Sequence, residues 1–329
     1  GIPGLSPLVI LVVVPLLDFA IGVDETNGDG DAGTTGRVQW PDAFFDAVPW
    51  AYVVSWIAAL MSTGFVMMEP GLGTFTKLDL LVGAGAGSAF ATCVAHEMLH
   101  RASLRFQWGA RFMMAVVAYG GFVLEHLHHH AKCGQIEEGT VPRRGESLAS
   151  FVVRNIAFSH RNGWRLGESL RIARGHGVWR NRVLQLHAAS AAMLVMFCTA
   201  FGASGAVLFV FQALTAWASL EAVQYFEHYA LQRQEGQRIG VEHSWNSNGW
   251  LTNAITLNIT RHSHHHCDAS VPYQRLRYLE GAPTFLMGYF GMVWLALIPA
   301  VWSRAYARMA VKPKGSGEPW VVNGAGQKR

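Results

Sequence analysis

Five stretches of this sequence are apolar and long enough to cross a lipid bilayer, which limits the possible folds more than any other feature. A spanning helix needs about 20 mostly apolar residues. Such segments lie at about 5–23, 45–68, 78–95, 183–201 and 204–225. Hydrocarbon offers no partner for backbone N–H and C=O groups, so segments of this length must satisfy their own hydrogen bonds as helices. The composition agrees. Of 329 residues, 51% are hydrophobic and 15% charged, against roughly 25% charged in an average soluble domain. A disordered chain, a coiled coil and a disulfide-stapled secreted domain are excluded. The expected fold is an all-α integral membrane protein with about five spanning helices, forming a single membrane-embedded domain over 1–329.

Within that frame, local composition assigns roles. Gly83, Gly85 and Gly87 follow no strand, so they read as close helix packing and not as a nucleotide-binding turn. The segments 183–201 and 204–225 form a hairpin around Gly202 and Gly205. Residues 106–124 are apolar but begin with Gln107 and Arg111. They join two histidine clusters that belong on one side of the membrane, so this stretch is expected to be re-entrant or interfacial. Residues 284–302 are apolar enough to dip into the membrane as well, a reading that their Pro299 and short length leave open.

Charge gives the orientation. Ten of the 26 Lys and Arg lie between Lys132 and Arg182, against four acids. That bias assigns 126–182 to the cytoplasm, and parity then places 226–329 there as well. The net charge of +4 invites a nucleic-acid reading. The basic residues follow no aromatic groove or recognition helix, so no nucleic-acid partner is expected. The four cysteines, Cys93, Cys133, Cys198 and Cys267, form no CxxC pair, which leaves out a rubredoxin-like or zinc-ribbon site within the chain.

The chemistry lies in the histidines. Ten of the 15 fall in three five-residue stretches. His96 and His100 stand in HEMLH, one helical turn apart. EHLHHH at 125–130 and RHSHHH at 261–266 each place three histidines at i, i+3 and i+4: His126, His129 and His130, then His262, His265 and His266. Those positions share one helix face, whereas His128 and His264 point elsewhere. Eight converging imidazoles are too many for one tetrahedral zinc, so two metals are the natural count. HExxH alone would fit a zinc protease with Glu97 as base, but the other two clusters argue against it. His228, in QYFEHYA, is equally readable as a ninth ligand or as a capped structural residue. Imidazole does not discriminate among zinc, copper, iron and nickel. Glu97, Glu125, Glu227 and Asp268 are placed to orient imidazole rings through the second nitrogen or to be solvated helix-end acids.

HEMLHR, EHLHHH, QYFEHYA, HSWNSN at 243–248, and RHSHHH followed by PYQRLR at 272–277 resemble the integral-membrane alkane 1-monooxygenases. These belong to the wider class of membrane di-iron hydroxylases and desaturases. The resemblance runs from PLLDFAIG at 15–22 through RRGES at 143–147 to PYQRLR. It implies nine histidine ligands, at His96, His100, His126, His129, His130, His228, His262, His265 and His266, and two non-haem iron ions held by them. It also implies six spanning helices, hence one before Gly1, and a place in the cell's inner (plasma) membrane with the metal face toward the cytoplasm. Three positions depart from the family pattern. The second motif is one residue shorter than EHxxGHH, with His128 at the glycine position. Ala230 stands for a glycine, and His264 for an aspartate. The shortened motif also looks like the HxxHH of desaturases and of xylene-type methyl monooxygenases.

The implied reaction is hydroxylation by O2 of the terminal methyl group of a hydrocarbon, giving a primary alcohol. Hydroxylation of an alkyl-aromatic methyl group and lipid or fatty acyl desaturation are the alternatives, and a non-catalytic metal carrier is the reading from another class. The substrate would enter from membrane lipid, with electrons supplied by rubredoxin or a ferredoxin-type reductase.

Overall fold

The computed structural model describes residues 5–27, 40–135 and 139–309. Among them all regular structure is helical, and the strand-like pairings are the isolated bridges Val23–Gly249 and Asn246–Thr284. The all-α expectation holds. Three helices are long and apolar enough to cross a membrane: Asp42–Met67, Thr74–His100 and Arg182–His228. At 1.5 Å per residue, the 26 residues of the first reach about 39 Å, more than the roughly 30 Å of hydrocarbon. The expected first span is shorter. It consists of Leu5–Leu8, a π-helical turn Val9–Val13, and Val14–Ile21, about 25 Å in all.

The chain divides into two units: 1–14, 30–127 and 156–220 form the first, and 15–29, 128–155 and 221–329 the second. In the first unit, small residues permit the close helix packing expected of them. A Cβ on Gly85 would come within 2.9 Å of the Thr215 side chain, and one on Gly64 within 2.6 Å of the Phe201 ring. Polar bonds lock the same helices: Trp56 Nε1 donates to Ser88 Oγ at 3.1 Å, and the Tyr52 hydroxyl to Gly87 O at 2.6 Å.

The hairpin around Gly202 is present. Gly202 adopts φ 59° and ψ −141°, a conformation essentially restricted to glycine. The chain reverses there, since the Phe197 and Phe209 rings lie 5.7 Å apart, whereas twelve residues of straight helix would span about 18 Å. The stretch 106–124 is broken as well. Leu104–Val116 ends, Ala118 turns at φ 54°, and Phe122–Lys132 begins. Carbonyls freed at this break find side-chain donors on the second arm of the hairpin: Gln212 Nε2 to Val116 O at 2.9 Å, and Trp217 Nε1 to Val117 O at 2.7 Å. Non-helical backbone deep in an apolar protein requires such partners. Residues 284–302 resolve into Tyr289–Leu297 and Pro299–Met309, parted at Ile298.

The second unit is built on an aromatic core that includes Phe151, Tyr225, Phe226, Tyr229, Trp245, Phe285, Tyr289, Trp302 and Tyr306. Two of their polar tips are satisfied locally: the Tyr225 hydroxyl donates to Glu146 O, and Trp245 Nε1 to Tyr229 O. Asp18 ties distant sequence together. Its buried carboxylate accepts from the Thr252 backbone N–H at 2.9 Å and from the Thr252 hydroxyl. Thr252 is the third residue of the Trp250–Ile255 helix, so Asp18 satisfies one of the unpaired amides of that first turn. Asp18→Ala would leave these donors buried without an acceptor, at about 1–3 kcal/mol. The expected outcome is a lower melting temperature in detergent with an unchanged far-UV spectrum. An unaltered melting temperature would refute the role.

Candidate metal centre

In the first unit, the Thr74–His100 helix ends in HEMLH, and the helical spacing brings the His96 and His100 rings to 4.9 Å. His126, from the Phe122–Lys132 helix, lies 4.4 Å from the His96 ring, and its Nε2 is 3.0 Å from His100 Nε2. His96 and His126 are buried. Beside them, Arg101 donates through Nε to Glu97 Oε1 at 2.6 Å and through NH1 to Asp46 Oδ1 at 3.3 Å. The Glu97 carboxylate is thus held in an ion pair, unlike the free base a zinc protease needs. Glu125 is completely buried.

In the second unit, six histidines gather. His228 Nε2 lies 3.2 Å from both His129 Nε2 and His262 Nε2, and His262 Nε2 lies 3.0 Å from His266 Nε2. His130 Nε2 and His265 Nε2 are 3.2 Å apart. Two of the outer nitrogens have partners behind them. His129 Nδ1 meets Thr140 Oγ1 at 2.9 Å, and His228 Nδ1 meets Cys133 Sγ at 3.6 Å. Glu227 joins the group through Oε2, 3.3 Å from His262 Nε2, while its Oε1 accepts from the Tyr289 hydroxyl at 2.5 Å. The third motif is fixed through its backbone: Ser263 N donates to Asn246 Oδ1 and Asn246 Nδ2 to Ser263 Oγ, both at 2.8 Å.

This donor set fits a metal ion. A neutral Nε2 has one in-plane site, either N–H or lone pair, so His228 cannot form a directed hydrogen bond with His129 and His262 together. A cation satisfies all the lone pairs at once. Metal–nitrogen bonds of about 2.0–2.1 Å put neighbouring ligand atoms roughly 3.0–3.4 Å apart, the range found for these contacts. The protonation state agrees. Burial, then the imidazoles around it, hold His266 well below the ordinary histidine range, so its ring is neutral and able to ligate.

Each of the nine expected ligands therefore lies against at least one other: three in the first unit, six in the second. His128 is half-buried and belongs to none of the metal-capable groups among the described residues. His264 also stands outside them, and its Nδ1 accepts from Arg277 N at 3.0 Å. Asp268 is exposed, its carboxylate accepting from the Ser270 backbone and hydroxyl. Thr140, Cys133 and Tyr289 are participants that the sequence did not single out. Cys133 had a signal, since it follows His129 by four residues and His130 by three on the same face. Thr140 and Tyr289 had none, because their contacts depend on tertiary packing.

Residues 72–296 match the protein family described as fatty acid desaturase. The chain is 34% identical to alkane 1-monooxygenase 1 of Pseudomonas aeruginosa, over 96% of this chain and 85% of the relative. It is 31% identical to alkane 1-monooxygenase 2 of Alcanivorax borkumensis, over 90% and 79%. A xylene/toluene monooxygenase hydroxylase component of Pseudomonas putida is 27% identical over 71% of this chain and 69% of the relative.

The outer contacts are testable by metal retention. Tyr289→Phe keeps the buried ring and removes the donor to Glu227. Loss of such an outer partner typically weakens metal binding about 10–100-fold, read by elemental analysis after dialysis against a chelator. His264→Asn should leave metal content at the parent level. Equal retention by Tyr289→Phe and the parent would remove Tyr289 from the site.

Proposed function

The chain belongs to the fatty acid desaturase family and, within it, to the alkane 1-monooxygenases, and we propose that it hydroxylates the terminal methyl group of a hydrocarbon with O2. It is an enzyme of the membrane monooxygenase kind. The observation that carries the proposal is the set of histidines whose Nε2 atoms face one another at 3.0–3.2 Å. The set stands in a chain whose relatives bear that activity in their names.

In this reading two irons are held by His96, His100, His126, His129, His130, His228, His262, His265 and His266. So bound, they supply the activation of O2 and the attack on an unactivated C–H bond, for which side chains have no adequate chemistry. The chain's own residues do the rest. Thr140 and Cys133 fix the orientation of His129 and His228, and Tyr289 holds Glu227 beside His262. Asn246 holds the backbone that presents His262, His265 and His266. The apolar helices exclude water and offer a hydrocarbon, which concentrates in the bilayer, a way in from the lipid. An alkane has no polar handle, so its terminal carbon must be selected by the shape of an apolar wall.

The membrane is proposed to be the inner (plasma) membrane, with the histidine face toward the cytoplasm. Electrons would come from rubredoxin or a ferredoxin-type reductase. Arg161, Arg165 and Arg174 are exposed and give an acidic donor an electrostatic target. Hydroxylation of an alkyl-aromatic methyl group is the second reading, favoured by the shortened HxxHH motif and by the similarity to the xylene/toluene component.

The test is product analysis on purified, iron-quantified protein in lipid, given O2, reductant, an electron donor and, separately, octane, xylene and a fatty acyl lipid. Octan-1-ol and two irons per chain by Mössbauer spectroscopy and elemental analysis are expected. An alkyl-aromatic alcohol as main product selects the second reading. A new double bond, or a single zinc in active protein, would overturn the proposal.

A further inference from the structure

Four rings in the first unit form a continuous stack that ends on a proposed ligand. Phe122 lies on His126 with centroids 4.7 Å apart and planes at 18°. Tyr119 lies on Phe122 at 5.7 Å and 21°, and Trp217 on Tyr119 at 5.3 Å and 25°. These separations are those of offset-stacked aromatics. His126, Phe122 and Tyr119 are buried, and Trp217 is half-buried.

We propose that Phe122, Tyr119 and Trp217 are a protective electron path, along which an oxidising equivalent stranded at the His126 metal is drained to the Trp217 indole. This rests on the reading of His126 as a metal ligand. Tyrosine and tryptophan are the most easily oxidised side chains apart from the sulfur-bearing ones, and here they occupy the far end of the stack from the metal. One electron leaves the Trp217 indole and crosses the Tyr119 and Phe122 rings. The metal at His126 is thereby reduced by one electron, and the indole becomes a radical cation. Its proton stays on Nε1, which continues to donate to the Val117 carbonyl at 2.7 Å. A one-electron reductant, the class of partner that the proposed reaction already requires, then returns the electron, and no bond is made or broken.

Two features set the stack apart from ordinary core filling. The indole N–H is anchored on a carbonyl freed by the helix break at Ala118, which fixes the plane of the outermost ring in line with the stack. His160 also flanks both outer rings, 5.1 Å from Tyr119 and 5.1 Å from Trp217. Burial, with His187 beside it, pushes His160 down to about 4. It therefore presents a neutral ring, and not a cation, to the site where positive charge would develop.

The experiment cycles iron-quantified protein with O2 and reductant in the absence of hydrocarbon. Freeze-quench EPR and peptide mass mapping then locate the radical and the added oxygen. Expected is an indole radical and oxygenated Trp217 in the parent. Trp217→Phe and Tyr119→Phe should lose that signal and move the damage to peptides nearer His126. Both variants should inactivate after several-fold fewer turnovers per iron bound, and Tyr119→Phe should do so with the Trp217–Val117 hydrogen bond intact. Iron-loaded parent protein with Trp217 unmodified and no indole radical overturns the path alone, whether or not the variants fold. Protein that binds no metal through His126 overturns the path together with the reading beneath it.

Discussion

Imidazole nitrogens held 3.0–3.2 Å from one another and out of water set the terms for the rest of the molecule. Neutral rings brought together in this way compete for too few protons, and charged rings would repel in a low-dielectric interior. The cluster is stable only when something satisfies its lone pairs collectively and something else holds the rings while it is assembled. A bound metal ion would supply the first. The second is visible in the structure as Thr140 behind His129, Cys133 behind His228, and Asn246 beneath the third motif.

The helix breaks serve the same end. A continuous helix through 104–132 would carry His126 along one straight axis. The interruption at Ala118 lets Phe122–Lys132 start afresh in a new direction. Breaking a helix among apolar helices exposes carbonyls, and Gln212 and Trp217 satisfy them. The Gly202 reversal is what returns the second arm of the hairpin to the position where those two side chains can donate. A glycine conformation 84 residues beyond Ala118 thereby supports the local geometry that launches the second histidine motif.

Much of this was legible in the sequence because it depends on local period. The i, i+3, i+4 spacing marks the histidine faces without any tertiary knowledge, and Gly202 with Gly205 marks the hairpin. Charge interrupting the start of 106–124 separates that segment from the uninterrupted apolar stretches. What could not be read depends on contacts distant in sequence. Asp18 lies in the apolar stretch 5–23 with no local pattern to mark it, and its partner is the Thr252 amide 234 residues away. Tyr289 reaches Glu227 only through the packing of the aromatic core. Asp268 shows the converse: adjacency to the third motif made it a candidate ring partner, while the turn at Ser270 takes its carboxylate into solvent.

The shortened second motif is where local geometry says most about this particular chain. At about 100° per residue, His129 and His130 fall roughly 60° to one side and 40° to the other of His126. His128 is turned about 160° away. All three proposed ligands thus fit one face of a regular helix, and 122–132 is an uninterrupted helix. The longer EHxxGHH spacing would carry its last histidine about 140° from the first, so it needs a departure from regular helix that its glycine permits. Removing one residue also removes that need, which is why a histidine at 128 is tolerated where the longer motif keeps glycine. His128 accordingly stands outside the metal-capable histidine groups among the described residues. Any change in substrate preference has to be sought in the apolar wall that the re-aimed helix presents, not in the metal's donor set.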